Sequence, residues 1–307
     1  MKNRMACLLG VLLCLIILVQ PLCVFAEGMD TARECNLVLT YAKEGIAFAD
    51  LEIKLYRVAR TTDVGVFEKL APYDQYPVEV SRITSQTEWN EVATTLRGYV
   101  QADGLEPYRT ATTNAEGNAV FEKLETGLYL VAGVTAEDTY VFFDFMLSLP
   151  AVQDGECIYD VSAKPKSRLT EPSEDPVTYT VLKLWKDEGH EKNRPAEVTV
   201  DILKDGTVVE TVVLNANNDW KYSFQCQDGK SVWTVVERNV PKGYAVKVTE
   251  KETSFVIVNT WEDQPVDPPK TGDTFPLRLY IVVTCIAGSA LMILGVAAGR
   301  KNHEQKK

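Results

Sequence analysis

Three polar residues in the C-terminal half, Lys183, Glu237 and Asn259, fall on strand faces that are otherwise apolar. Each follows an apolar residue two positions earlier, which is the period of a strand face turned toward a core. Burial would lower the pKa of the lysine amine and raise the pKa of the glutamate carboxyl. The set would then combine a nucleophilic amine with a carboxylic acid that can pass protons. The alternative is a buried lysine–glutamate ion pair with an asparagine nearby, because unpaired charge in a core is expensive.

The residues around this set resemble the Cna-B type domain of Gram-positive adhesins and pilins. The matching segments are Val181–Trp185, Arg194-Pro195, Leu214-Asn215 with Trp220, Trp233–Glu237 followed by Val240-Pro241 and Gly243-Tyr244, and Val258–Thr260. The resemblance implies an intramolecular isopeptide bond between Lys183 and Asn259, with Glu237 as the catalytic acid–base residue. The bond forms once, without turnover, and would tie the first strand of the domain to the last.

The C-terminal end carries a short polar motif, a long apolar run and a basic tail. The motif consists of Pro268, Pro269, Lys270, Thr271 and Gly272. The run 279–298 is long enough to cross a bilayer as a transmembrane helix, and the basic tail 299–307 should stay cytoplasmic. The motif resembles the Leu-Pro-x-Thr-Gly sorting signal of Gram-positive surface proteins, with proline in place of leucine. The resemblance implies that a sortase cleaves after the threonine and joins it to an amine; a plain membrane anchor is the alternative.

The N-terminus has the pattern of a secretory signal peptide, residues 1–26. Lys2 and Arg4 precede an apolar stretch, and Val24-Phe25-Ala26 supplies small or modest residues at a cleavage site. Together with the C-terminal motif, this predicts a secreted protein that is held transiently in the membrane and then anchored covalently to the cell wall.

Composition excludes several classes of function. The formal net charge is −11, and an acidic chain repels nucleic acid. Between the signal peptide and the basic tail the sequence has a single histidine, His190, which is too few for a zinc site or an acyl-transfer triad. No glycine-rich phosphate loop is present. The sequence therefore predicts no cofactor, no metal and no conventional enzyme.

Cysteine usage suggests one disulfide in the secreted chain. Cys35 stands just before a strand-like run, 36–41, and Cys157 just before another, 158–163. If these first and last strands of one domain run parallel, the two thiols lie side by side, and an extracellular location permits a Cys35–Cys157 disulfide. Two separate thiols are the alternative.

The sequence predicts an all-β chain of tandem immunoglobulin-like (Cna-B type) β-sandwiches. An N-terminal pilin-like domain, 27–166, has strands with period-two alternation and one inserted helix. The helix is predicted by apolar residues at helical spacing from Trp89 to Val100, and Ser85 and Glu88 form a capping box before them. The remaining boundaries are a polar, proline-bearing linker at 167–177, the Cna-B type domain at 178–261, and a stalk with the sorting motif at 262–273.

The last residues of the first domain help to distinguish a pilin subunit from a monomeric adhesin. Pro165-Lys166 stand where a backbone pilin carries its Tyr-Pro-Lys motif, with Lys164 in place of the tyrosine. The resemblance implies that Lys166 accepts the threonine of the next subunit; an ordinary strand-end lysine is the alternative. We therefore expect a wall-anchored structural protein, a pilin subunit polymerised or attached by sortase, whose partners are sortase and other pilin subunits or peptidoglycan. The alternative is a monomeric wall-anchored adhesin or stalk that binds a host or matrix ligand.

Overall fold

The computed structural model describes residues 28–137, 139–169, 176–226 and 231–262. Within these ranges the regular structure consists of β-strands, three short 3-10 turns and one α-helix, α1 (Gln86–Ala102). The strands before residue 170 are β1 (Cys35–Thr40), β2 (Ala42–Lys43), β3 (Ile46–Ala47), β4 (Glu52–Thr61), β5 (Phe67–Lys69), β6 (Arg109–Thr112), β7 (Asn118–Leu124), β8 (Gly127–Val131), β9 (Val134–Ala136), β10 (Tyr140–Phe142), β11 (Phe145–Leu149), β12 (Ala151–Gln153), β13 (Glu156–Ile158), β14 (Asp160–Ala163) and β15 (Ser167–Leu169). Those after residue 175 are β16 (Val177–Lys186), β17 (Glu197–Lys204), β18 (Thr207–Asn215), β19 (Lys221–Cys226), β20 (Trp233–Glu237), β21 (Tyr244–Lys251) and β22 (Ser254–Trp261). The predicted all-β class with one helix is confirmed.

The first sandwich is built on a sheet that is buried on both faces. Its order is β11-β8-β4-β5, with β6 also paired to β4, and a second sheet has the order β14-β1-β7. On β4, Ile53 and Leu55 share a core with β1 and β7, whereas Tyr56 and Val58 belong to the core around α1. Burial on both faces explains why all five residues of β8 are buried and why its sequence is apolar without alternation.

Helix α1 begins where the sequence predicts. The Ser85 hydroxyl accepts a hydrogen bond from the Glu88 backbone N–H, and the Glu88 carboxylate accepts one from the Ser85 N–H, so both halves of the capping box are present. Val92, Ala93 and Leu96 are fully buried, in agreement with the helical spacing of the apolar residues.

The second sandwich has sheets of order β19-β16-β22-β21 and β18-β17-β20. Its first and last strands, β16 and β22, pair in parallel, with Lys183 opposite Ile257 and Trp185 opposite Asn259. Strands β20 and β21 are therefore edge strands, one in each sheet.

Helix α1 belongs by sequence to the first half but contacts both sandwiches. It packs on β8 and β11 of the first and on β20 and β21 of the second. One continuous apolar core consequently joins the two halves through the helix, and the described residues belong to one compact unit.

Two local details differ from the strand pattern of the sequence. The apolar run 140–149 is divided into β10 and β11, which lie in different sheets. The division falls at Asp144, whose carboxylate accepts a hydrogen bond from the Gly133 N–H and lies 3.7 Å from the Arg97 guanidinium. At the expected linker, Ser167–Leu169 pairs with β10 as strand β15, and β16 already begins at Val177.

The first and last strands of the first sandwich do pair in parallel, which was the condition for the predicted Cys35–Cys157 disulfide, but both cysteines are free in the structure. Asn36 lies opposite Asp160, and its N–H donates to the Tyr159 carbonyl, so Cys157 stands two residues before the position opposite Cys35. Cys157 pairs instead with Val152 in the β12–β13 hairpin. Both thiols are free, Cys35 fully buried and Cys157 half-buried.

Several predicted segments lie outside the described residues: the signal peptide 1–26, the sorting motif within 262–273, the apolar run 279–298 and the basic tail. Within the described ranges, no helix combines the length and the apolar character needed to span a membrane.

Candidate functional site

Lys183 lies at the centre of the second sandwich. Strand β16 turns Val181 and Lys183 inward, as its period of two predicts, and the lysine side chain has no exposed surface. Its Nζ donates to the Leu184 carbonyl at 2.8 Å and lies 3.9 Å from the centroid of the Trp185 ring. An aromatic face attracts a cation, so the ammonium has partial compensation for lost water on one side.

Glu237 reaches the same point from the facing sheet. It ends β20, opposite Val200 of β17, and its side chain is fully buried. Its Oε2 lies 3.8 Å from Lys183 Nζ, within ion-pair range but beyond a normal hydrogen bond.

Asn259 completes the cluster from β22, where the face shared by Phe255, Ile257 and Asn259 is buried. Its Nδ2 donates to Glu237 Oε1 at 2.7 Å. Because the parallel register sets Lys183 opposite Ile257, the lysine and the asparagine are offset by one inward-facing position on neighbouring strands. The carboxyl group of Glu237 thus contacts both partners from across the core.

The protonation of the pair follows from its burial. Loss of solvation lowers the pKa of Lys183 to about 8, although the charges of Glu237 and Asp187 act in the opposite direction. Loss of solvation raises the pKa of Glu237, partly offset by Lys183 and by the hydrogen bond from Asn259. Both shifts favour the neutral forms, an amine beside a carboxylic acid.

Two buried oxygen atoms of the cluster, Glu237 Oε2 and Asn259 Oδ1, have no hydrogen-bond partner among the described residues. An asparagine amide has nearly the same shape after a half turn, so its oxygen and nitrogen are interchangeable in position. With Glu237 protonated and the amide turned, the acid would donate to Asn259 Oδ1 across the 2.7 Å contact. That hydrogen bond polarises the amide carbonyl.

Comparison with known proteins identifies the second sandwich. Residues 179–260 match the family model of the Cna protein B-type domain. The name Cna-B domain is used for this region on the strength of that match. Lys183, Glu237 and Asn259 all fall within the matched range.

Known relatives of the Cna-B domain occur among Gram-positive surface proteins. The collagen adhesin of Staphylococcus aureus is 30% identical over 113 residues, which cover 32% of this chain. The match spans 10% of the adhesin, so this chain corresponds to about a tenth of the length of that relative.

Three solved structures align with much of this chain at low sequence identity and low TM-score. The full-length major pilin SpaD from Corynebacterium diphtheriae has 18% identity and a TM-score of 0.32, over 76% of this chain and 66% of that one. A single B repeat unit of the S. aureus collagen-binding surface protein has 14% identity and a TM-score of 0.27, over 75% of this chain and 100% of that one. The pilus backbone from Streptococcus pneumoniae has 15% identity and a TM-score of 0.27, over 75% of this chain and 76% of that one.

The structure adds residues to the site of the Cna-B domain that sequence reasoning did not assign. Asp187 is buried and forms two hydrogen bonds with the Arg194 guanidinium, at 2.6 and 2.8 Å, and one with the Tyr244 hydroxyl at 2.7 Å. The Arg194 hydrogen bond holds the pKa of Asp187 below its ordinary value. Asp187 is therefore a fixed negative charge near Lys183. The signal available in the sequence was its place four residues after Lys183, just past the end of the same strand.

Aromatic rings shield the outer end of this cluster. Trp185 makes edge contacts with Trp220 and with Tyr244, and Tyr244 makes one with Trp261. His190, which the composition left without a role, stacks on Trp261 with ring centroids 4.4 Å apart. The rings keep water away from the Lys183 amine, which strengthens its electrostatic interactions.

The proposed acceptor Lys166 is exposed and lies immediately before β15. Its backbone carbonyl accepts from the Phe143 N–H, which fixes the segment, while the side chain lines a cavity of about 1080 Å³. An exposed amine in the segment that leads into β15 is accessible to a large partner. The sorting-motif residues lie outside the described ranges.

Proposed function

We propose that this chain is a structural, non-enzymatic cell-surface protein whose Cna-B domain forms an isopeptide bond between Lys183 and Asn259. The observation that carries the proposal is the meeting of Lys183, Glu237 and Asn259 in a core without solvent access. Isolated buried charge would be a liability, whereas the covalent product removes it.

The reaction follows from the contacts. A proton passes from the Lys183 ammonium to Glu237, leaving a neutral amine and a carboxylic acid. The acid donates to Asn259 Oδ1, and the amine nitrogen attacks the Asn259 amide carbon. Glu237 then relays the proton from the attacking nitrogen to the departing one. A carbon–nitrogen bond forms between Lys183 and Asn259, the bond from Asn259 Cγ to Nδ2 breaks, and one ammonia leaves.

Intact mass spectrometry of the segment 27–271 tests this reaction. We expect a deficit of one ammonia in the wild type, because the bond releases that molecule. The deficit should disappear in Lys183→Ala and in Glu237→Ala, and persist in Lys186→Ala, which removes an exposed lysine from the same strand. A full, unmodified mass in the wild type would overturn the proposal.

We infer further that the protein is a pilin subunit, sorted at Thr271 and joined to the next subunit through Lys166. Support comes from the Cna-B match, from the order of motif, apolar run and basic tail in the sequence, and from the exposure of Lys166. A wall-anchored monomeric adhesin is the second candidate, favoured by the identity to the S. aureus collagen adhesin.

Denaturing gels of cell-wall extracts distinguish the two. A pilin gives a ladder of covalent oligomers that collapses to a single species in Lys166→Ala. The matched control is Lys164→Ala, an exposed lysine two residues earlier, which should leave the ladder intact. A single band in the wild type would favour the adhesin, and a Thr271→Ala variant that still reaches the wall would contradict sorting at that residue.

A further inference from the structure

Helix α1 of the first half closes an open side of the Cna-B domain. Strands β20 and β21 are edge strands of opposite sheets, and the helix lies against both. An exposed sheet edge presents unpaired backbone groups. Here those groups receive partners from the first half of the chain.

The contacts on β21 hold the helix in place. The Val248 N–H donates to the Thr95 hydroxyl at 2.8 Å, and the Thr249 hydroxyl donates to the Glu91 carboxylate at 2.7 Å. The Val246 N–H donates to the carbonyl of Pro77, in the connection between β5 and the helix. These bonds fix the helix along the strand that neighbours β22.

On β20 the helix contacts Glu237, the proposed acid–base residue. The Tyr99 hydroxyl donates to the backbone carbonyl of Glu237 at 2.9 Å in a buried position. One residue earlier, Gly98 approaches so closely that an added Cβ would lie 3.0 Å from the Val235 carbonyl oxygen. The absence of a side chain at Gly98 therefore lets the Tyr99 hydroxyl reach the strand.

Tyr99 is itself held rigidly. Its ring stacks on Tyr76 with centroids 4.3 Å apart, and the Tyr76 hydroxyl is anchored by Asp103. Burial raises the pKa of Tyr99 above its ordinary value, so the hydroxyl keeps its proton and remains a donor over the physiological range.

We propose that Tyr99 is a positioning residue for isopeptide formation, acting through the backbone of Glu237. By holding that carbonyl, it fixes the end of β20 so that the Glu237 carboxyl lies between Lys183 and Asn259. This inference rests on the proposed function, because it concerns the rate of the same bond. It makes the crosslink of the Cna-B domain dependent on the docked first half of the chain.

The test follows the crosslinking of segment 27–271 in time. The protein is synthesised without cells, trapped unfolded in urea, and diluted into buffer, while intact mass reports ammonia loss and tryptophan fluorescence reports folding. Tyr99→Phe keeps the ring stack and removes only the hydroxyl, so folding should proceed at close to the wild-type rate. We expect ammonia loss to slow roughly ten- to hundredfold, the effect of displacing a reacting group by a fraction of an ångström to one ångström.

A matched control separates positioning from stability. Thr249→Val removes a hydrogen bond from the same helix interface, but on β21 rather than β20, and should leave the crosslinking rate unchanged. The dependence of the crosslinking rate on pH supplies a second readout. The negative charge of Glu237 raises the pKa of Lys183, so displacing the carboxylate lowers that pKa. The crosslinking rate of Tyr99→Phe should therefore begin to fall at a lower pH than that of the wild type.

Each outcome decides one question. Absence of ammonia loss in the wild type overturns the proposed function itself. Wild-type crosslinking with an equal rate and pH profile in Tyr99→Phe overturns the positioning role alone. Equal slowing in Tyr99→Phe and Thr249→Val also overturns it, because the effect would then belong to helix docking in general.

Discussion

Replacing Asn259 by alanine removes the acceptor of the proposed bond and leaves Lys183 and Glu237 in place. The crosslink would close a loop of roughly 75 residues, which in the chain-entropy model stabilises the folded state by about 4 to 5 kcal/mol. The variant also lacks the Asn259 carbonyl oxygen to which a protonated Glu237 would donate, and leaving a buried polar group unpaired costs about 1 to 3 kcal/mol more. We expect Asn259→Ala to lower the free energy of unfolding by at least about 4 kcal/mol.

Urea unfolding followed by tryptophan fluorescence measures this difference. A crosslinked chain exposes less surface when it unfolds, so the slope of the unfolding free energy against urea concentration should be smaller in the wild type than in Asn259→Ala. Glu237→Gln is the matched control, because it keeps the asparagine and nearly the same side-chain shape but lacks the proton-transfer group. It should show the same steep slope as Asn259→Ala.

The slope of the unfolding free energy against urea concentration separates the effect of a crosslink from the effect of a packing defect. A cavity at residue 259 lowers the midpoint but does not change how much surface the unfolded chain exposes. Equal slopes in the wild type and both variants, with a difference in unfolding free energy below about 1 kcal/mol, would refute a covalent tie across this loop.

Three further expectations follow from the described contacts. The crosslinking rate should be highest where Lys183 and Glu237 share a single proton. It should fall above about pH 8, where the pair loses that proton and Glu237 can no longer act as an acid, and mass spectrometry across a pH series measures this. Gly98→Val should cost about 1 to 3 kcal/mol in urea unfolding, because its side chain has no room against β20, whereas Asn90→Val on the exposed face of the helix should cost far less. Cys35 should react with iodoacetamide much more slowly than Cys157 at neutral pH, since burial raises the pKa of its thiol to about 11; equally fast alkylation of both would contradict the buried position.

The core of the candidate site was predictable because a strand has a period of two. Lys183 and Glu237 each share an inward face with apolar neighbours, so burial could be inferred without tertiary information. Helix α1 was predictable for a similar reason, since its capping box and apolar spacing are local. The isopeptide bond itself stays a prediction.

The features that the sequence did not predict depend on contacts between distant parts of the chain. The sequence places α1 in the first half, but nothing local indicates that Thr95 and Tyr99 serve strands more than a hundred residues later. The same limit affects the cysteines. The condition of parallel pairing is met, but Cys157 pairs within the β12–β13 hairpin and lies two residues before the position opposite Cys35.

The parallel pairing of β16 and β22 has a mechanical consequence. A pull on the two ends of the Cna-B domain would slide these strands past each other in shear, so their backbone hydrogen bonds would resist together instead of opening one at a time. In the first sandwich, β1 and β14 have the same parallel geometry, and Cys35 and Cys157 are free thiols. If the proposed Lys183–Asn259 bond is present, rising tension across both sandwiches would extend the first before the second.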